Sequence, residues 1–181
     1  MLSVTPVAGA RVGLGAGLAC ILLTAAIMLG RAGQTAHAQP TAPISHAEHA
    51  ITLDAANAMI TAGAARAREL GLAVTIVVVD GHGLQKAMVR MDGAMVSSIN
   101  VAHGKAYTAA IRRETTEAYG NTLIDNPRLL HSIAAVQPHM FLTPGGIPII
   151  VDGHVIGAIG AGGAPRGVDL EVASAGLAAI Q

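Results

Sequence analysis

The dipeptide Asp152-Gly153 stands between two apolar, largely β-branched runs, residues 147–151 and 154–159. This short passage settles more of the architecture than any other. Asp-Gly supplies the positive φ that both central residues of a type I′ turn require, and the twist of that turn matches the strands it joins. The spacing therefore predicts an antiparallel hairpin. A lone hairpin is marginal in water, so its apolar face must be covered. The rest of the chain offers one kind of cover, helices built from small residues.

From Leu53, the residues Ala56, Met59, Ile60, Gly63, Ala67 and Leu70 recur three or four apart, with Asp54, Arg66 and Glu69 between them. This is an amphipathic helix stopped by Gly71. Residues 72–79 run apolar and β-branched, as suits a strand buried on both faces. Asp80-Gly81-His82-Gly83 turns the chain into a second strand over 84–91, with Gln85, Ala87, Val89 and Met91 on one face and Lys86, Met88 and Arg90 on the more polar one. Between 96 and 113, Ile99, Val101, Ala102, Ala106, Ala109, Ala110 and Ile111 recur helically around Gly104. Gly63 and Gly104 each cost a helix about 1 kcal/mol relative to alanine, which predicts a close approach by a neighbour at both. A polar passage through Asn126-Pro127 leads to a short helix over 128–135, and a last helix covers 168–180. Small-residue helices on an antiparallel sheet give one α+β layered domain over residues 51–181. The length excludes a multidomain enzyme.

Residues 12–30 carry no charge, follow Arg11, and precede Ala36-His37-Ala38. That order predicts a signal peptide over residues 1–38, cleaved after Ala38, and export to a periplasmic or extracellular compartment. The apolar run is also long enough to serve as a retained anchor. The sole cysteine, Cys20, leaves with the signal, so no disulfide staples the mature chain. It lacks the large aliphatic residue three positions before it that a lipoprotein signal carries, and no paired arginines indicate twin-arginine export. Residues 39–50 read as a flexible leader. The mature segment keeps nine Lys and Arg against eleven acids, a formal charge of −2, and its only aromatics are Tyr107, Tyr119 and Phe141. Neither charge nor stacking surface suits nucleic acid.

Histidine is the commonest metal ligand, and seven histidines follow residue 38. His46-Ala47-Glu48-His49 has a metal-clip spacing but not the His-Glu-x-x-His order of a zinc protease, and reads as a solvated lead-in. His82 and His154 lie beside turns, while His131 and His139 read as surface residues. His103, Lys105 and Thr108 share an Ala-rich helix on which buried polar groups need partners. Lys105 in a desolvated pocket suits a base or a Schiff-base amine; the alternative is a pairing with Asp92 or Asp169 that fixes the helix. The glycines of 160–163 lack both the dinucleotide spacing and a following Lys-Ser or Lys-Thr, and read as a tight turn before the last helix. Gly157 and Gly160 leave a gap for a ligand, a neighbouring backbone or a bulge. No Gly-x-Ser-x-Gly elbow exists and the mature chain has no cysteine, so a covalent hydrolase has little support.

Val79-Asp80 with Gly83, Arg90-Met91-Asp92-Gly93-Ala94, Ala102 with Lys105-Ala106-x-Thr108-Ala109, and Gly145-Gly146-x-Pro148-Ile149 follow one another along the chain. Gly153 with Ile156-Gly157-x-Ile159-Gly160, and Asp169 with Ala173-x-Ala175-Gly176, complete the series. In these residues the chain resembles the GlcG/HbpS proteins, also called haem-degrading domain proteins, which include the C-terminal domain of the PduO corrinoid adenosyltransferases. The resemblance covers nearly all of 53–180. It implies a profilin-like fold, an antiparallel sheet with flanking helices, and homo-oligomers up to octamers. It further implies haem binding in some members and, in one secreted branch, redox sensing beside a membrane sensor kinase; other members sit in glycolate or diol utilisation operons. Ala161-Gly162-Gly163 stands where the family usually has Val-Ser-Gly, so any contact of that serine hydroxyl is missing here.

The leading expectation is an exported, homo-oligomeric haem or tetrapyrrole-binding protein acting as carrier, scavenger or redox-sensing accessory. His103, Lys105 and Thr108 are the pocket candidates, and His103, His82 and His154 the candidate iron ligands. Met88, Met91 and Met95 are either porphyrin-stacking residues or core filler. One rival is an enzyme acting on a hydroxy acid or carbonyl compound, with Lys105 and Asp169 as catalytic candidates and Gly145-Gly146 or Gly162-Gly163 amides as oxyanion donors. The other is a non-catalytic structural or sensor-partner module whose small-residue surfaces serve subunit packing.

Overall fold

A computed structural model describes residues 46–181 apart from 138 and 166; the expected signal peptide, Cys20 and residues 39–45 of the expected leader lie outside the described residues. No helix among the described residues is long and apolar enough to cross a membrane. Strands β1 (Thr75–Asp80), β2 (Gln85–Arg90), β3 (Gly146–Val151) and β4 (His154–Gly162) form one antiparallel sheet in the order β2-β1-β4-β3. At the β3–β4 hairpin, Asp152 and Gly153 adopt φ of 49° and 77°. The strands on either side pair from Val151 opposite His154, as the Asp-Gly turn requires.

Side chains alternate across β1, and both of its faces are buried. Ile76 and Val78 enter a core with Met59 and Ile60 of α1 (Leu53–Glu69) and Val172 of α5 (Val168–Ala178). Val77 and Val79 enter a second, thinner core with Ala102, Ala106 and Ala109 of α2 (Ser98–Arg112) and with Ala158. The result is the α+β layered arrangement expected, with α1 and α5 on one face and α2 on the other. Thr52 caps α1 through Oγ1, which accepts from the Ala55 amide at 3.2 Å. The close approach predicted at Gly63 is made by α5, since a Cβ there would lie 3.2 Å from the Val172 carbonyl oxygen. Arg66 joins the two helices at the surface through Glu171 and also binds Glu69. Hydrogen bonding to Glu171, then to Glu69, raises the guanidinium pKa.

The structure corrects two expectations. Residues 160–162 do not form a turn: β4 runs through them, with Gly160 paired to Val77 and Gly162 to Thr75. The gap they leave is filled by α2. A Cβ at Gly160 would lie 2.5 Å from the Ala106 amide nitrogen, and one at Gly162 2.8 Å from that of Ala102. Backbone against backbone is thus what these glycines permit, rather than a cradle for phosphate. The second correction is a helix in the polar passage, α3 (Thr116–Ile124), followed by α4 (Pro127–Val136). Thr115 caps α3 through the Ala118 amide, and Thr116, Tyr119 and Leu123 bury one stripe at helical spacing. In α4 Pro127 begins the helix and Asn126 caps it, yet none of its residues is buried.

Candidate functional site

The Ala-rich face of α2 rests on the sheet, and Lys105, one residue from Ala106, reaches past the sheet toward the start of α5. It is 2% exposed and the only buried Lys or Arg among the described residues. Its Nζ donates to Asp169 Oδ2 at 2.6 Å, and Asp169 Oδ1 accepts from the Ala164 amide at 3.0 Å. Asp169 lies in the first turn of α5, where the unsatisfied N–H groups favour a carboxylate. Gly145, at φ +121°, makes room for the pair: a Cβ there would sit 2.7 Å from the Asp169 Cβ and 3.1 Å from Lys105 Nζ. Lys105 and Asp169 form part of the wall of a cleft of about 260 Å³, with Met95, Val101, Thr143 and Pro144 among its other walls.

Of the sequence candidates, Lys105 and Asp169 are therefore brought together, and Asp169 rather than Asp92 is the lysine's partner. Thr108 is fully buried, and its hydroxyl is committed: it donates to the Gly104 carbonyl at 2.7 Å and accepts from the Phe141 amide at 2.9 Å. Its role in this geometry is to pin the 139–141 segment to α2. Of the proposed oxyanion donors, the Gly146 amide is taken by Thr116 Oγ1 at 3.0 Å, and Gly162 lies within β4 against α2.

The candidate iron ligands fall into two places. His103 is half-buried on α2 and lines a cleft of about 270 Å³ with Asn100, Gly104, His139 and Phe141. His82 and His154 are exposed at the end of the sheet where the lead-in crosses it. There His82 Nε2 lies 3.1 Å from Glu48 Oε1, and the His154 ring stacks on His49 at 5.5 Å between centroids. Among the described residues no group of three or more His, Cys, Asp or Glu is arranged to hold a metal ion. His139 and Phe141 were not legible as site residues. The available signal was Gly104: a Cβ there would lie 2.7 Å from the His139 carbonyl oxygen and 3.0 Å from the Phe141 ring.

The chain has relatives among known proteins. The family model described as haem-degrading protein HbpS-like matches residues 51–178. An uncharacterised 15.0 kDa protein from the dhaT-dhaS intergenic region of Citrobacter freundii is 37% identical over 113 residues, 62% of this chain and 80% of that protein. The crystal structure of a double mutant of HbpS from Streptomyces reticuli matches with a TM-score of 0.69 and 30% identity, over 80% of this chain and 98% of that one. PduOC, crystallised as a complex with haem, matches with a TM-score of 0.68 and 27% identity, over 73% of this chain and 96% of that one.

Proposed function

The chain belongs to the haem-degrading HbpS-like family, and on that premise we propose that it is an exported, homo-oligomeric protein that binds haem or a related tetrapyrrole as carrier, scavenger or redox-sensing accessory. The observation that carries this reading is the cleft on α2, whose lining includes two histidines, His103 and His139, and the only phenylalanine of the chain. Their chemistry fits haem. Imidazole is a common axial ligand of haem iron, and an aromatic ring beside it gives the porphyrin a flat apolar contact. Iron supplies the redox chemistry when bound. The chain's own part is to present the His103 ring from a helix held by Thr108, and to exclude water with Phe141. At about 270 Å³ the cleft lies below the range of about 300–1,000 Å³ usual for pockets that enclose a drug-sized ligand. In the oligomeric reading a second copy of the chain supplies the opposite wall. A membrane sensor partner belongs to the same proposal, through the redox-sensing role.

Haemin titration of the purified protein, with light scattering on the eluting species, tests it. The expected result is a saturable, shifted Soret band at one haem per subunit or subunit pair. His103→Ala is expected to weaken binding by about tenfold or more, and His154→Ala to leave it unchanged. Unsaturable absorbance that ignores the His103 change would overturn the assignment.

A further inference from the structure

The chain contains nine arginines and only two lysines, Lys86 and Lys105. Arginine fills nearly every cationic position, yet the one buried cation among the described residues is a lysine. Arginine keeps its proton in proteins, while a lysine can lose one and become a nucleophile. A pair held for stability alone has no need of that property, and burying two charges costs several kcal/mol that a well-packed apolar pair would not incur. The pair is also not sealed in the core, because both residues reach the wall of the 260 Å³ cleft.

The charges of that cleft decide what it accepts. Lys105 and Asp169 cancel, and among the described residues no other charged side chain lines it. Because the pair is neutral overall, an anionic or a cationic occupant would lose its hydration there without gaining a net counter-charge. An uncharged occupant with a carbonyl escapes that penalty, and its oxygen can accept from the ammonium. Apolar walls from Met95, Val101 and Pro144 suit a short carbon chain.

We infer that this cleft is a second site, separate from the haem cleft, which captures a small uncharged aldehyde or ketone as an imine on Lys105. Asp169 Oδ2, 2.6 Å from Nζ, takes a proton from the ammonium. The freed nitrogen pair adds to the carbonyl carbon while the C=O π pair moves to oxygen, and Asp169 returns the proton to that oxygen. Asp169 then moves a second proton from nitrogen to the hydroxyl, which leaves as water as the C=N bond forms. Ammonium and carbonyl compound become iminium and water, with no change of oxidation state.

Borohydride trapping with glycolaldehyde, read by peptide mass mapping of the full protein, tests the inference, since Lys86 and the α-amino group serve as internal references. Lys105 is expected to take the reduced adduct about tenfold faster than Lys86, despite its burial. Lys105→Arg, which keeps the charge and the pairing with Asp169, is expected to leave adduct only on the references. Val101→Phe, which fills the cleft without touching the pair, is expected to slow labelling at position 105 about tenfold and leave Lys86 unchanged. Lys105 labelled no faster than Lys86, or equally fast in Val101→Phe, overturns the inference. Haem titration of the same samples reads the other site, so either reading can fail alone.

Discussion

Gly160→Val is expected to leave the domain unfolded or nearly so. The new Cβ would collide with the Ala102 carbonyl oxygen and lie 2.5 Å from the Ala106 amide nitrogen, both in the backbone of α2. No rotamer change relieves a clash with backbone, so α2 must lift from β4. Lifting it exposes Val77, Val79, Ala102, Ala106, Ala109 and Ala158, which make up nearly all of the second core. Overpacking usually costs about 1–3 kcal/mol where side chains can shift, and here they cannot. A loss of about 4 kcal/mol or more is expected, a large part of the roughly 5–15 kcal/mol that holds a domain together. Gly153→Ala is the control: nothing lies within 4 Å of its would-be Cβ, and only its φ of +77° opposes alanine. It should cost about 1 kcal/mol. Denaturant melts followed by circular dichroism compare the two, and equal losses would refute the role given to α2.

The second large effect concerns the ion pair. Lys105→Met leaves the Asp169 carboxylate, with a side chain 8% exposed, facing an apolar group. Asp169→Asn leaves an unpaired ammonium 3% exposed. Removing one partner of a buried pair costs about 3–5 kcal/mol, because the survivor pays its desolvation without its Coulomb partner. The double variant strands neither charge and is expected to be more stable than either single one. A double-mutant cycle from urea melts measures this coupling. Independent single costs that simply add would show that the two groups do not act as a pair in solution.

Periodicity and turn chemistry carried much of the fold. Asp152-Gly153 announced the hairpin because its conformational demand is local, and the β-branched run before Asp80 announced a strand buried on both faces. The end of β4 was not legible, because glycine in a strand and glycine in a turn look alike until the packing partner is known, and that partner is a helix some 60 residues earlier. Helix α3 was hidden for a different reason: only Thr116, Tyr119 and Leu123 mark its buried stripe, and two of those carry hydroxyls. The site divides in the same way. Lys105 stood out as a polar residue on an alanine face with Asp92 or Asp169 as its partner, but the choice of Asp169, 64 residues away, is a product of tertiary structure alone. Thr108 was picked for its place on the helix, yet its two hydrogen bonds show that it positions a segment rather than facing a cleft.

Helix α4 has a cap and a proline start, but Leu129, Leu130 and Val136 are 45%, 36% and 73% exposed, and nothing in it is buried. A helix anchored so lightly opens without disturbing either core. Its amides should therefore exchange with solvent deuterium through local opening, while those of β1, covered on both faces, wait for the whole domain to unfold. The molecule thus has two separate clocks, and binding of a second copy or a ligand over α4 would be registered first as a slowing of the faster one.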